Sequence, residues 1–165
     1  ASADIEHKTE VGGVILDVRT EADLVAALDQ IAQIPCATPH RVLIEEMAGD
    51  GVELIVGGTR DPSWGPCVVV GLGGILAEAM ADTGVGIVPM GATDVDRLLD
   101  GLRGREILDG FRGLPRANRG AIADAVQAIG RIMTEHPDVR EIEINPLRVS
   151  EEGALALDAL VVLDG

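Results

Sequence analysis

The sequence predicts an α+β fold, and three observations carry that expectation. Residues 139–162, VREIEINPLRVSEEGALALDALVV, read as two strands joined by the polar turn Ser150-Glu151-Glu152-Gly153. Residues 21–33 and 119–135 instead repeat their apolar side chains at helical spacing. Strands also follow strands in hairpins, rather than alternating regularly with helices as in a parallel sheet. Hydrophobic residues make up 47% of the chain and aromatic residues 1%, Trp64 and Phe111 being the only two, so the core must be aliphatic. The 165 residues suffice for one domain, or a piece of a larger one, with a real core.

In chain order, the opening ASADIEHKTE is polar apart from Ile5 and runs directly into Val11–Val18, a strand entered through Gly12 and Gly13. A domain seldom starts on a strand with so little before it, so the chain reads as the later part of a longer polypeptide. Thr20 is suited to cap a helix over 21–33, with Glu21 and Asp23 in its first turn and Leu24, Leu28 and Ile31 on one face. Pro35 and Pro39 end it. Arg41–Met47 reads as a strand, 48–51 as a turn, and Val52–Gly57 as the returning hairpin partner. A loop over 59–66 leads to a buried strand at Cys67–Val70, the glycines of Gly71-Leu72-Gly73-Gly74, and a short helix over 75–81. A strand over 85–90 follows, then helices near 93–102, 106–109 and 119–135. The last of these carries Ile122, Val126, Ile129 and Met133 on one face. Internal repeats and low-complexity segments are absent.

The net charge of −15 argues against nucleic acid as a partner, but not against nucleotides, which arrive with Mg²⁺. Cys36 and Cys67 have no metal or redox spacing and read as free thiols in a reducing, cytoplasmic compartment. The sequence shows no apolar run of membrane-spanning length, and the polar opening does not read as a signal peptide.

Four groups of residues could carry chemistry. If the 139–162 hairpin turns between Glu151 and Glu152, positions summing to 303 face each other, which sets Asn145 opposite Asp158. Glu143 projects to the same face by the strand period of two. Asp158 stands alone in an apolar run, costly to bury unless a positive group meets it. A hard cation such as Mg²⁺, held by a carboxylate and an amide, would do so, and an edge strand facing solvent is the other reading. The second group, Gly71-x-Gly73-Gly74 before a helix, could receive a phosphoryl group or could be a packing turn. The third is His7, flanked by Asp4 and Glu6: a phosphoryl carrier, or a surface histidine in a frayed terminus. In the fourth, Glu45, Glu46, Met47 and Glu53 could meet a ribose or adenine, or form a solvated sheet edge. His40 and His136 read as structural.

In their order along the chain, these segments resemble a known family. They are DIEHKTEVGGV at 4–14, Glu46-Met47, GVELIVG at 51–57, Arg60-Asp61-Pro62, Gly65-Pro66, GLGGI at 71–75, Phe111-Arg112-Gly113, EINPL at 143–147 and Leu157-Asp158-Ala159. The chain is similar over nearly its whole length to the ATP-grasp domain of NDP-forming acid–CoA ligases, and more distantly to the nucleotide-binding subunit of succinyl-CoA synthetase. The resemblance implies the second ATP-grasp subdomain, a mixed, mostly antiparallel sheet flanked by helices, with residues 1–165 as the C-terminal part of that domain. It implies Asn145 and Asp158 as Mg²⁺ ligands, Glu46 and Met47 as an adenine hinge and Glu53 as a nucleotide contact. By the same resemblance His7 receives and passes on a phosphoryl group, which Gly71, Gly73 and Gly74 steady. The implied reaction is acyl-CoA + NDP + Pi ⇌ acid + CoA + NTP, through an acyl phosphate and a phosphohistidine, with ATP/ADP as nucleotide. CoA would sit on partner CoA-binding or ligase domains of the same polypeptide or of a partner subunit. The first ATP-grasp subdomain normally supplies a lysine to the phosphates, so the isolated chain is expected to be inactive and to bind nucleotide weakly. The other function class is a non-catalytic regulatory module, such as one fused to a protein acetyltransferase. Exposed aliphatic surface could also drive a homodimer.

Overall fold

The computed structural model of the chain describes residues 11–35, 41–74 and 82–164, in two compact units, Ala1–Gly49 and Asp50–Gly165. The helix expected over 75–81, and Cys36 and His40, lie outside the described residues.

The first unit holds α1 (Glu21–Ala32), formed where its spacing and cap predict. The Thr20 hydroxyl accepts from the Asp23 N–H at 3.2 Å, and the Asp23 carboxylate accepts from the Thr20 N–H at 2.9 Å. This reciprocal pair satisfies two donors that the first turn would leave bare. The strands expected at 11–18 and 41–47 do not form. In the first, Gly12 (φ 72°) and Asp17 (φ 59°) turn the backbone out of the extended region. The second loses its expected partner, because Val52–Gly57 is hydrogen-bonded on both sides by other strands. A strand without a ladder has no place for its backbone N–H and C=O groups, and propensity cannot supply one.

The second unit is built on β1 (Val52–Asp61), β2 (Gly65–Leu72), β3 (Thr83–Ile87), β4 (Val139–Val149), β5 (Ala154–Ala156) and β6 (Ala159–Leu163). All the described pairings are antiparallel, in the order β3-β2-β1-β4-β5, with β6 also on β4. The loop expected over 59–66 shrinks to three residues, because the β1–β2 ladder continues to Asp61↔Gly65. The Asp61 carboxylate accepts from the Ser63 and Trp64 N–H groups, and Gly65 takes φ 75°, so the tight turn is held by side-chain chemistry rather than length. The strand expected over 85–90 runs instead over 83–87, before the turn at Val88-Pro89.

Helices α2 (Ala92–Gly101) and α3 (Arg119–Glu135) cover one face of this sheet. The four α3 residues expected on one face, Ile122, Val126, Ile129 and Met133, are all fully buried. They meet Leu54, Val56, Val68 and Val70 from the sheet and Val95 and Leu99 from α2 in one aliphatic core. Alternate β1 residues, Glu53 and Ile55, point to the opposite face. Asp82 is the one buried charged residue described. Its carboxylate accepts from the Arg103 N–H at 2.9 Å and the Gly104 N–H at 2.8 Å, tying the end of α2 to the start of β3. Those bonds hold its carboxyl below the usual carboxylate range, against the opposing effect of burial.

Arg60, in the sequence motif Arg60-Asp61-Pro62, has a structural task. Its guanidinium donates to the carbonyls of Met133 (2.6 Å), His136 (2.8 Å) and Val139 (2.8 Å), closing the C-terminal end of α3, where carbonyls lack partners and the helix dipole is negative. His136 is the C-cap residue there, its backbone N–H donating to the Ile132 carbonyl and its side chain exposed. Replacing Arg60 by methionine, which keeps the aliphatic stem, is expected to cost about 2–3 kcal/mol of stability. A urea midpoint that stays in place would mean that water takes over all three bonds.

Candidate functional site

Two clusters of expected residues come together in the second unit. In the first, β4 meets β5 and β6 in the register expected from the turn: Val149↔Ala154, Leu147↔Ala156 and Ile144↔Ala159 all sum to 303. Asn145 and Asp158 face each other, the Asn145 N–H donating to the Asp158 carbonyl at 3.1 Å. The Asn145 amide nitrogen donates to Glu143 Oε1 at 2.9 Å, so these two side chains do share a face. That bond leaves the amide oxygen for another partner. The returning strand, expected to be continuous over 154–162, is broken at Leu157-Asp158, between β5 and β6. One oxygen of Asp158 accepts from the Ala159 N–H at 2.9 Å. Asp158 is exposed, so the argument from the cost of burying it does not apply, and what remains is its place across from Asn145.

A bulge aims this cluster. Along β1, Leu54 faces Leu147 but Val56 faces Ile144, so Asn145 and Pro146, joined by a cis peptide bond, together oppose Ile55. The extra residue resets the alternation of β4. Ile142 before it and Leu147 and Val149 after it all reach the helix-covered core, while Glu143, Asn145 and Arg148 share the other face.

The second cluster joins residues that the sequence singled out separately. The Gly73 N–H donates to the Glu53 carbonyl at 2.6 Å. A Cβ on Gly73 would stand 2.9 Å from the Glu53 carbonyl carbon, so only glycine lets the chain leave β2 this close to β1. Gly74 takes φ 76°, and a Cβ there would lie 3.3 Å from Glu53 Oε2. A Cβ on Gly71 would stand 2.7 Å from Thr83 Cγ2 on β3, so close packing accounts for Gly71 as for Gly73, and the Gly73 amide is already committed. Arg148, which the sequence reading missed, sits beside Glu53 with Nη2 2.5 Å from Oε1. Its only sequence signal is a lone charge between Leu147 and Val149. The partner lies 95 residues away in sequence, in a strand pairing that local patterns do not reveal.

Glu46 and Met47 lie exposed in the first unit, outside any strand. His7 lies outside the described residues. Cys67 is a buried free thiol. Among the described residues no three His, Cys, Asp or Glu side chains gather as a metal site, so a cation here would take an amide and substrate oxygens as well.

Set beside known proteins, the chain matches the ATP-grasp domain family over residues 1–163. It is 35% identical to the β subunit of acetate–CoA ligase [ADP-forming] I from Pyrococcus furiosus, covering 98% of this chain and 72% of that subunit. The chain is an ATP-grasp domain of the ADP-forming acid–CoA ligase family. A trans-feruloyl-CoA synthase from an unknown prokaryotic organism is 38% identical to this ATP-grasp domain across 99% of the chain, but the chain spans only 24% of that protein's length. Among solved structures, the dinucleotide-forming acetyl-coenzyme A synthetase 1 of Candidatus Korarchaeum cryptofilum superposes with a TM-score of 0.88 at 33% identity, covering 99% of this chain and 74% of the other. That structure holds coenzyme A and Mg-AMPPCP, with its phosphohistidine segment pointing towards the nucleotide-binding site. These relatives are a β subunit and a longer polypeptide, of which the chain spans 72% and 24%. No helix among the described residues is long and apolar enough to cross a membrane.

Proposed function

We propose that this ATP-grasp domain is the nucleotide-binding part of an acyl-CoA synthetase that interconverts acid + CoA + NTP with acyl-CoA + NDP + Pi, through an acyl phosphate and a phosphohistidine. The observation that carries the reading is the register that sets Asn145 across from Asp158, with Glu143 orienting the amide. An amide and carboxylates fit a hard cation that takes its other ligands from phosphate and water. Bound there, Mg²⁺ would offset the charge of the nucleotide phosphates. Glu46 and Met47 would hold adenine, Glu53 would meet the nucleotide, and the turn at Gly71, Gly73 and Gly74 would steady the phosphoryl group carried by His7. Because Gly73 already donates to Glu53, that contact falls to Gly74. CoA-binding and ligase domains, in the same polypeptide or a partner subunit, would supply the acyl site in the cytoplasm. We read residues 1–165 as the C-terminal portion of the ATP-grasp domain.

The test is the reaction itself. The full-length protein, given acetyl-CoA, ADP, phosphate and Mg²⁺, is expected to form ATP. The 165-residue chain alone is expected to form none, and to give no micromolar heat signal with Mg·ATP. Absence of ATP from the full-length protein with acetyl-, propionyl-, branched and aromatic acyl-CoA alike would overturn the reading.

A further inference from the structure

The turn assigned to a phosphoryl group is built against a carboxylate. Glu53 holds Gly73 through its carbonyl, and its Oε2 stands 3.3 Å from the space beside the Gly74 Cα. An anion approaching that turn meets like charge at close range. Arg148 answers this charge. It lies directly across from Glu53 in the β1–β4 ladder, its Nη2 is 2.5 Å from Glu53 Oε1, and the two side chains are only 26% and 30% exposed. It reaches this face only because the bulge at Asn145-Pro146 resets the alternation of β4.

We propose that Arg148 is a positioning residue of the phosphate end of the site: it fixes the Glu53 carboxylate and cancels its charge, so that a phosphate can settle beside Gly74. The proposal rests on the phosphoryl-transfer reading above. A plain staple between β1 and β4 would give the same ion pair but different kinetics, and the full-length protein separates the two.

Arg148→Gln leaves the carboxylate uncompensated and is expected to slow phosphoryl labelling of the protein by Mg·ATP roughly ten- to hundredfold, with the KM for acyl-CoA unmoved. Arg148→Lys restores the charge and is expected to regain most of the loss. Adding Glu53→Gln to Arg148→Gln removes the repelling charge and is expected to recover about tenfold over Arg148→Gln alone. A staple predicts that this double variant is no better than the single one, and that result would overturn the proposal. So would an unchanged rate of phosphoryl labelling in Arg148→Gln. Thermal unfolding with and without Mg·ATP gives a second readout, independent of turnover: a rise in Tm for the wild type, diminished in Arg148→Gln and regained in the double variant. If the wild-type protein shows no ligase turnover, the phosphoryl-transfer reading fails by itself, and the Tm series still decides whether Arg148 governs phosphate binding.

Discussion

Asp158→Ala in the full-length protein is expected to lower the rate of ATP formation by about a thousandfold while leaving the fold intact. The magnitude follows from the task. Holding a cation against nucleotide phosphates is worth several kcal/mol of transition-state stabilisation, and ~4 kcal/mol corresponds to about three orders of magnitude in rate. The fold should survive because Asp158 is exposed and breaks the strand rather than packing in it. Its carbonyl, which takes the Asn145 N–H, is main chain and remains in the variant. Asn145→Ala removes a neutral ligand and should cost less, about ten- to a hundredfold. It also frees Glu143 from its hydrogen bond, so added Mn²⁺ or Mg²⁺ should rescue it in part. Wild-type turnover in Asp158→Ala, with unchanged Mg²⁺ dependence, would remove the cation site from this hairpin.

His7→Ala is expected to abolish phosphoryl labelling of this domain and to reduce the full reaction to background. An imidazole nitrogen that attacks the γ-phosphorus of ATP forms an N–P bond as the bond to ADP breaks, and the same nitrogen later gives up the phosphoryl group. Of the side chains in the sequence segment Asp4–Thr9, only the imidazole combines a nitrogen nucleophile near neutral pH with so labile a product. Radiolabel from γ-³²P-ATP, stable to alkali and lost in acid, should therefore appear in the wild type and be missing in His7→Ala. Equal labelling of both proteins would exclude His7 as the carrier. Since His7→Ala changes neither Asn145 nor Asp158, nucleotide binding should persist, whereas Asp158→Ala should weaken it. The two variants thus fail at different steps, which a binding titration alongside the labelling would display.

The best-read parts of the molecule in the sequence were those whose signal is local. Helix α3 runs over the expected residues 119–135, because four apolar positions at helical spacing leave one face to bury and Asn118 caps the first turn. The closing hairpin keeps its expected register, because a short polar turn allows only one alignment of the strands that flank it. Asn145 and Asp158 were therefore legible as a pair before any coordinates. Arg41–Met47 misled, because its apolar run Val42-Leu43-Ile44 was assigned to the nearest strand in sequence. The true partners of β1 are β2 and, across more than eighty residues, β4.

By itself, then, the sequence determined the helices with capped, periodic faces, the aliphatic core, and the opposition of an amide to a carboxylate across the last turn. Only the tertiary structure decided that β1 lies centrally between β2 and β4, that Glu53 closes on the Gly73–Gly74 turn, and that Arg148 stands beside it. The physical reason is range. Periodicity and turn chemistry act over a few residues, whereas strand order is settled by which distant faces bury the most apolar surface together. The bulge that turns Arg148 towards Glu53 exists only once β4 has been laid against β1.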